Sequence, residues 1–343
     1  MSALAIATVV GSLAMSETRA TWRDLAPATR PTPPRSGHTA AHDPKTGRVW
    51  LFGGYAEAGA DRWAVNDLYS LGPGGPAWEL VEKGTPEEDR SRPQPCLCSA
   101  AAVLNGELLL FGGWNPQTPG TGGVIVDDVF ARRVDGDGHW ERLQEGMPGG
   151  PASRHVACVV GEELLVHTHR CAASVLRWDR AGRRLVEQPT RGRAPSSRGL
   201  HVAAAADGET LVVFGGADKS GSMVNDVFAL STKDWTWREL SPGPGPCPRA
   251  GACAAPAGPG KVAVFGGARP APGGAGLEPL GDLWVLHLDG SGGARWEEVF
   301  PTGDLPPPPN AATLTATDEG LVLHGGWRPF VSTHDDTRLL TLE

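Results

Sequence analysis

The residues able to do chemistry in this 343-residue sequence fall into three groups. The first is "HTHRC", where His167, His169 and Cys171 alternate, so that a continuing strand would turn all three to one side. His155 and Cys158 stand on what reads as the preceding strand. Neutral imidazole and thiolate are zinc or iron ligands, which makes His155, His167 and His169 the candidate metal set. Whether His155 faces the same way as His169 depends on the register of the Gly161-Glu162 turn, because a slip of one residue reverses every side chain.

The second group is a recurring polar strand start. "PRSGH" carries Arg35 and His38, "SRH" carries Arg154 and His155, "SRGLH" carries Arg198 and His201, and "PRAGA" and "PNAA" place Arg249 and Asn310 in the same setting. Guanidinium groups grip carboxylates in fork geometry, so these donors, brought to one place, would form an acidic-ligand site. The structural alternative is that they bond loop carbonyls of a neighbouring unit. The third group is Trp114 and Trp327, each directly after a Gly-Gly doublet, and aromatics beside arginine suit a binding surface. No Gly-x-Ser-x-Gly elbow, Walker loop or His-Glu-x-x-His helix occurs, which withdraws support from the common hydrolase and nucleotide-binding routes.

The elements that must hold these groups are short. The 47 glycines and 31 prolines are spread along the whole chain and leave little room for long helices, so the composition reads as all-β. A net charge of -8 with no Lys/Arg run disfavours nucleic acid and anionic membrane as partners. The six cysteines form no Cys-x-x-Cys pair and are too few for a disulfide scaffold. "ALAIATVVGSLAM" is too short to span a bilayer and lacks preceding basic residues. Residues 1–20 therefore read as a disordered or weakly signal-like leader before one unit over 21–343. Cytoplasmic location is the expectation, with secretion as the alternative.

Self-similarity organises the rest. "LFGGY" at Leu51, "LFGGW" at Leu110, "VFGGA" at Val213 and Val264 and "LHGGW" at Leu323 recur, and the double gap after the second predicts a hidden copy near residue 168. An acidic-hydrophobic segment follows each doublet, as in "NDLYSL", "DDVFAR", "NDVFAL" and "GDLWVLHL". A Trp strand comes next, carried by Trp78, Trp140, Trp237 and Trp296, with "RRLVEQ" as a Trp-less third copy. This order, at roughly 50-residue period, resembles the kelch repeat, in which each copy is one four-stranded propeller blade. The last copy lacks its Trp strand, whereas "TWRDL" at Thr21 is a Trp strand without a copy before it. The two halves predict a six-bladed β-propeller whose sixth blade is closed by Thr21–Leu25.

The resemblance sorts residues. Asn66, Asp67, Asn225, Asp226 and Asp282 recur with the repeat and are expected to build blades. The polar strand starts would converge on one channel mouth, with Arg35, His38, Arg154, His155, Arg198, His201, Arg249, Trp114 and Trp327 as its ligand-binding residues. The expected function is that of an interaction module, probing a protein partner or small acidic ligand as a monomer, without a favoured cofactor and leaning away from an enzyme. The alternative is an isomerase or lyase at the same mouth, with Fe or Zn. Plant specifier proteins and bacterial sialic-acid mutarotases share the architecture. The specifier iron pattern, Glu-x-x-x-Asp-x-x-x-His, is met here by Glu278 and Asp282, but Leu286 stands in the third place and His287 is one residue late.

Overall fold

The computed structural model describes residues 17–25, 32–59, 61–75, 77–85, 89, 91–117, 122–136, 138–171, 173–329 and 331–343. Among them there is no helix, and the strands form six blades around a channel. Blade 1 runs outward through Thr39–Asp43, Arg48–Ala58, Asp61–Leu71 and Glu79–Glu82. Blade 2 comprises Ala100–Leu104, Glu107–Asn115, Val124–Arg133 and Trp140–Gln144. Blade 3 comprises Val156–Val160, Glu163–His167, Ser174–Asp179 and Arg184–Pro189. Blade 4 comprises Val202–Ala205, Thr210–Phe214, Val227–Ser231 and Thr236–Leu240. Blade 5 comprises Cys253–Pro256, Lys261–Phe265, Leu283–Leu288 and Ala294–Val299.

Blade 6 takes Thr313–Thr317, Gly320–His324 and Thr337–Leu342 from the C-terminal end and Ala20–Asp24 from the N-terminal end. The closing strand pairs antiparallel with its neighbour from Ala20↔Leu342 to Asp24↔Arg338. Closure is thus as the orphan Trp strand predicts, and it begins one residue earlier than Thr21. Thr18 also bonds Glu297 of blade 5 through its amide and hydroxyl, at 2.8 and 2.9 Å. The remainder of the leader, residues 1–16, lies outside the described residues.

One hydrophobic cluster fills each junction between blades, because a blade sheet exposes two apolar faces that only its neighbours can cover. A single aromatic contact recurs in all six. The residue at the Phe place of Phe-Gly-Gly packs against a tryptophan of the next blade: Phe52 with Trp140, Phe111 with Trp178, His167 with Trp237, Phe214 with Trp296, Phe265 with Trp22 and His324 with Trp78. Ring centroids lie 5.0–6.2 Å apart, the range in which such pairs add about 0.5–1.5 kcal/mol beyond area burial. The third copy keeps this contact. Its tryptophan is Trp178, supplied from the third strand instead of the fourth.

Candidate functional site

The first strands begin at one end of the channel, and there six residues, one per blade, close a ring. Gly37, Cys98, Arg154, Leu200, Gly251 and Ala311 all take φ between +54° and +67°. Each donates its backbone N–H to the carbonyl of the ring residue in the preceding blade. The bonds run Cys98 to Gly37, Arg154 to Cys98, Leu200 to Arg154, Gly251 to Leu200, Ala311 to Gly251 and Gly37 to Ala311, at 2.6–3.0 Å. The left-handed conformation turns donor and acceptor along the ring instead of into the channel. Two glycines enter it without a Cβ penalty. In Cys98, Arg154, Leu200 and Ala311 the closed ring imposes it.

A second seam lies just outside. The second glycine of each clear doublet donates to the residue two places before the next blade's ring residue. Gly54 bonds Cys96, Gly113 bonds Ala152, Gly216 bonds Arg249, Gly267 bonds Pro309 and Gly326 bonds Arg35, at 2.8–3.0 Å. Close approach needs glycine here: a Cβ on Gly54, at φ +100°, would stand 2.8 Å from His38 Cβ and 2.9 Å from its amide nitrogen. In blade 3 the pairing Val156↔His167 matches Val202↔Phe214 in blade 4. His167 therefore holds the Phe place, and Thr168 and His169 hold the doublet. Of the two imidazoles in "HTHRC", only His169 stands in the place of a glycine.

This frame assigns the arginines. Arg35, Arg198 and Arg249 are 0–2% exposed and do not line the mouth. Arg35 meets Asp67 at 2.7 and 3.1 Å and the Gly53 carbonyl at 3.0 Å. Arg249 meets Asp282 at 2.6 and 2.8 Å and the Gly266 carbonyl at 3.1 Å, and Arg198 meets Asp226 and the Gly215 carbonyl in the same way. Their fork geometry is spent on the aspartate and doublet of their own blade. The expected four-arginine grip is corrected to a set of internal ion pairs. Where the arginine is absent, the partner changes: Asp128 takes Arg142 and Asp336 takes Arg338. Blade 3 has Ala152 and Ser174 in the two places, so both charges are missing together.

Arg154 is the exception. It stands in the ring, exposed, with its guanidinium carbon 5.4 Å from the centroid of the half-buried Trp114 ring, a cation–π contact. The signal was in the spacing, since Arg35–His38 and Arg198–His201 are three apart whereas Arg154–His155 are adjacent. Trp327, opposite Asn310, holds the equivalent place of blade 6, and Tyr55, opposite Ser36, holds that of blade 1. Alanines 217 and 268 take it in blades 4 and 5.

The histidines lie between blades. His38 and His201 are 5% and 3% exposed and pack edge-on to His324 and His167, the two imidazoles that replace the repeat phenylalanine. His167 Nδ1 is 2.9 Å from His201 Nε2, one ring donating and the other accepting. His155 sits at a different junction, its Nε2 3.1 Å from the Phe111 carbonyl. Burial drives the pKa of His38 and His167 down to about 3, assisted by Arg35 and Arg198, and that of His155 to about 4. Burial likewise holds His201 and His324 well below 6.5. His155, His167 and His169 are not gathered, and among the described residues no group of three or more His, Cys, Asp or Glu stands ready to hold a metal. Cys158 donates toward the Ala203 carbonyl, with burial pushing its thiol up to about 12. Glu278 pairs with Arg269 at 2.7 Å, so the Glu278/Asp282 spacing joins two separate ion pairs.

Beyond the ring the six first strands line a channel of about 490 Å³. Its wall is dominated by alanine, including Ala40, Ala101, Ala157, Ala203 and Ala254 at equivalent places.

Comparison with known proteins agrees with this architecture. The family model for the KLHDC2/KLHL20/DRC7 Kelch-repeats domain matches residues 11–177 and 167–343. The chain is 30% identical over 292 residues to putative adagio-like protein 2 of Oryza sativa subsp. japonica, covering 78% of this chain and 42% of that protein. It is 25% identical over 278 residues to an F-box/kelch-repeat protein of Arabidopsis thaliana, covering 73% and 54%. Human Host cell factor 1 is 36% identical over 135 residues, 35% of this chain and 7% of that one. The chain thus spans about half, or less, of these relatives. The solved structure of YjhT superposes with a TM-score of 0.70 at 17% identity, covering 93% of this chain and 99% of that one, a likeness of fold. With five repeat signatures in register, a sixth blade closed by both ends and a family model matched along nearly its whole length, the chain belongs to the kelch-repeat family.

Proposed function

We propose that this propeller is an interaction module that captures a protein partner on the face where the second strands end, with Arg154 and Trp114 at the centre of the contact. The observation that carries the reading is the exposed guanidinium of Arg154 resting on the Trp114 ring at the inner rim. The backbone polar groups around it are consumed by the ring, so side chains must supply recognition. Aromatic residues follow the doublet in three consecutive blades, 6, 1 and 2, as Trp327, Tyr55 and Trp114. Ile125, on the third strand of blade 2 opposite Trp114, and Val331, on a connection of blade 6, are 44% and 61% exposed. Tryptophan and arginine dominate the energetic centres of protein interfaces, and an acidic group on the partner would complement Arg154. Family membership supports the same class of role.

The test is affinity capture with mass spectrometry using the wild-type chain, Trp114→Ala, Arg154→Glu and, from the opposite end of the channel, Val159→Ser. Loss of the same partners from the first two variants, with retention by the third and unchanged melting temperatures, is expected. Equal capture by all four proteins would overturn the reading.

A further inference from the structure

The channel itself is unused by a partner resting on the face. We propose that it binds a straight-chain carboxylate, a fatty-acid-like amphiphile, with the alkyl chain along the axis and the head group at Arg154.

Three features carry this. The first is the aperture. Backbones joined by N–H···O bonds lie about 4.8 Å apart, so a closed ring of six places its Cα atoms about 5 Å from the axis. A single file of methylene carbons threaded there approaches the 3.5–4.0 Å optimum for carbon contacts to the ring atoms. A folded peptide is too wide. The second is the lining. Behind the ring, alanines in five of the blades and Leu314 in the sixth make the wall mainly apolar, with Thr39, Ser99, Thr313 and Thr315 among its polar members, and the volume of about 490 Å³ falls within the range of small-molecule sites.

The third is polarity. Arg154 is the one charged residue of the six in the ring, and its contact with Trp114 holds the guanidinium at the rim. At the far end His42 lines a small cleft together with Asp318 and Glu319, carboxylates that disfavour a second carboxylate there. These charges favour an anionic amphiphile with its head group at the ring. An uncharged chain of equal length would gain the apolar burial without the charge-assisted bonds to Arg154.

Isothermal titration of the full chain with hexanoate, decanoate and tetradecanoate, each below its micellar concentration, tests the proposal. Decanol and decyltrimethylammonium serve as uncharged and cationic probes. Saturable binding of one molecule per chain that tightens with chain length is expected. Arg154→Gln should weaken decanoate by about tenfold or more while leaving decanol unchanged, and Ala203→Phe should abolish both by filling the channel. Thermal melts confirm that each variant folds. Absence of saturable decanoate binding overturns the proposal, as does binding that survives Ala203→Phe or that favours the cationic probe, since either places the chain elsewhere. Partner capture is read separately, so either proposal can fail alone.

Discussion

His167 Nδ1 meets His201 Nε2 at 2.9 Å across the junction of blades 3 and 4, where the repeat would place a phenylalanine and where, among the described residues, His169 makes no backbone bond to Arg198 of the kind the doublet glycines make elsewhere. The same exchange occurs at the junction of blades 6 and 1, with His324 beside His38. Imidazole replaces phenylalanine only where the next blade also supplies imidazole. Elsewhere Phe52, Phe214 and Phe265 face Ser99, Ala252 and Ala312 at that place, and Phe111 offers its carbonyl to His155.

These buried histidines predict acid lability. Their folded pKa values lie below the unfolded value of 6.5, so the unfolded chain binds more protons between about pH 6.5 and pH 3. Stability should be full above pH 6.5 and fall as the pH drops through that window, by about 2 kcal/mol at pH 5 for each histidine whose folded value is about 3. Urea titrations from pH 8 to pH 5 measure the slope. His167→Phe/His201→Ala, which recreates the Phe214 and Ala252 combination of the next junction, should flatten it. An unchanged slope in that variant would show that other groups set the acid limit.

Single removal of a buried ion partner should be severe. Arg198→Ala leaves Asp226 without its guanidinium and is expected to cost about 3–5 kcal/mol. Arg198→Ala/Asp226→Ser, the combination blade 3 already carries as Ala152 and Ser174, should recover part of that loss. Chemical denaturation of the two single variants and the double variant gives the coupling directly, and strict additivity would contradict an interacting pair.

The closing strand should be indispensable. Trp22 is 1% exposed and stacks 5.1 Å from Phe265 of the neighbouring blade, so Trp22→Ala is expected to cost about 3–5 kcal/mol. Deleting Ala20–Asp24 should lower the melting temperature further, because it also exposes the edge of Thr337–Leu342. A melting curve superimposable on the wild type would refute closure of blade 6 by this strand.

Glycine should be required at Gly54 but not at Gly59. Both have positive φ, +100° and +62°, yet a Cβ at Gly54 meets His38 and Ser36 below 3.0 Å whereas at Gly59 nothing lies within 4 Å. Gly54→Ala is therefore expected to destabilise by more than about 1 kcal/mol, and Gly59→Ala by less. Thermal unfolding of the two variants ranks them, and equal losses would mean that φ alone governs both.

The repeat, the number of blades and the closure across the two ends were legible in the sequence by itself, because apolar alternation, glycine doublets and tryptophan strands are local patterns that survive in five clear copies. The third copy hid its tryptophan at Trp178, a strand early, and its register at His167. What only the tertiary structure decided is which polar groups remain free. The histidine spacing sets Arg154 two places later in the repeat than Arg35, but only the fold shows that the ion partner of Arg35 lies 32 residues away on the third strand of its own blade, whereas Arg154 enters a ring formed by six blades. Local pattern sets the faces of a strand. Availability of a charge depends on what packing brings against it, and here packing buried three of the four expected arginines and left one at the mouth.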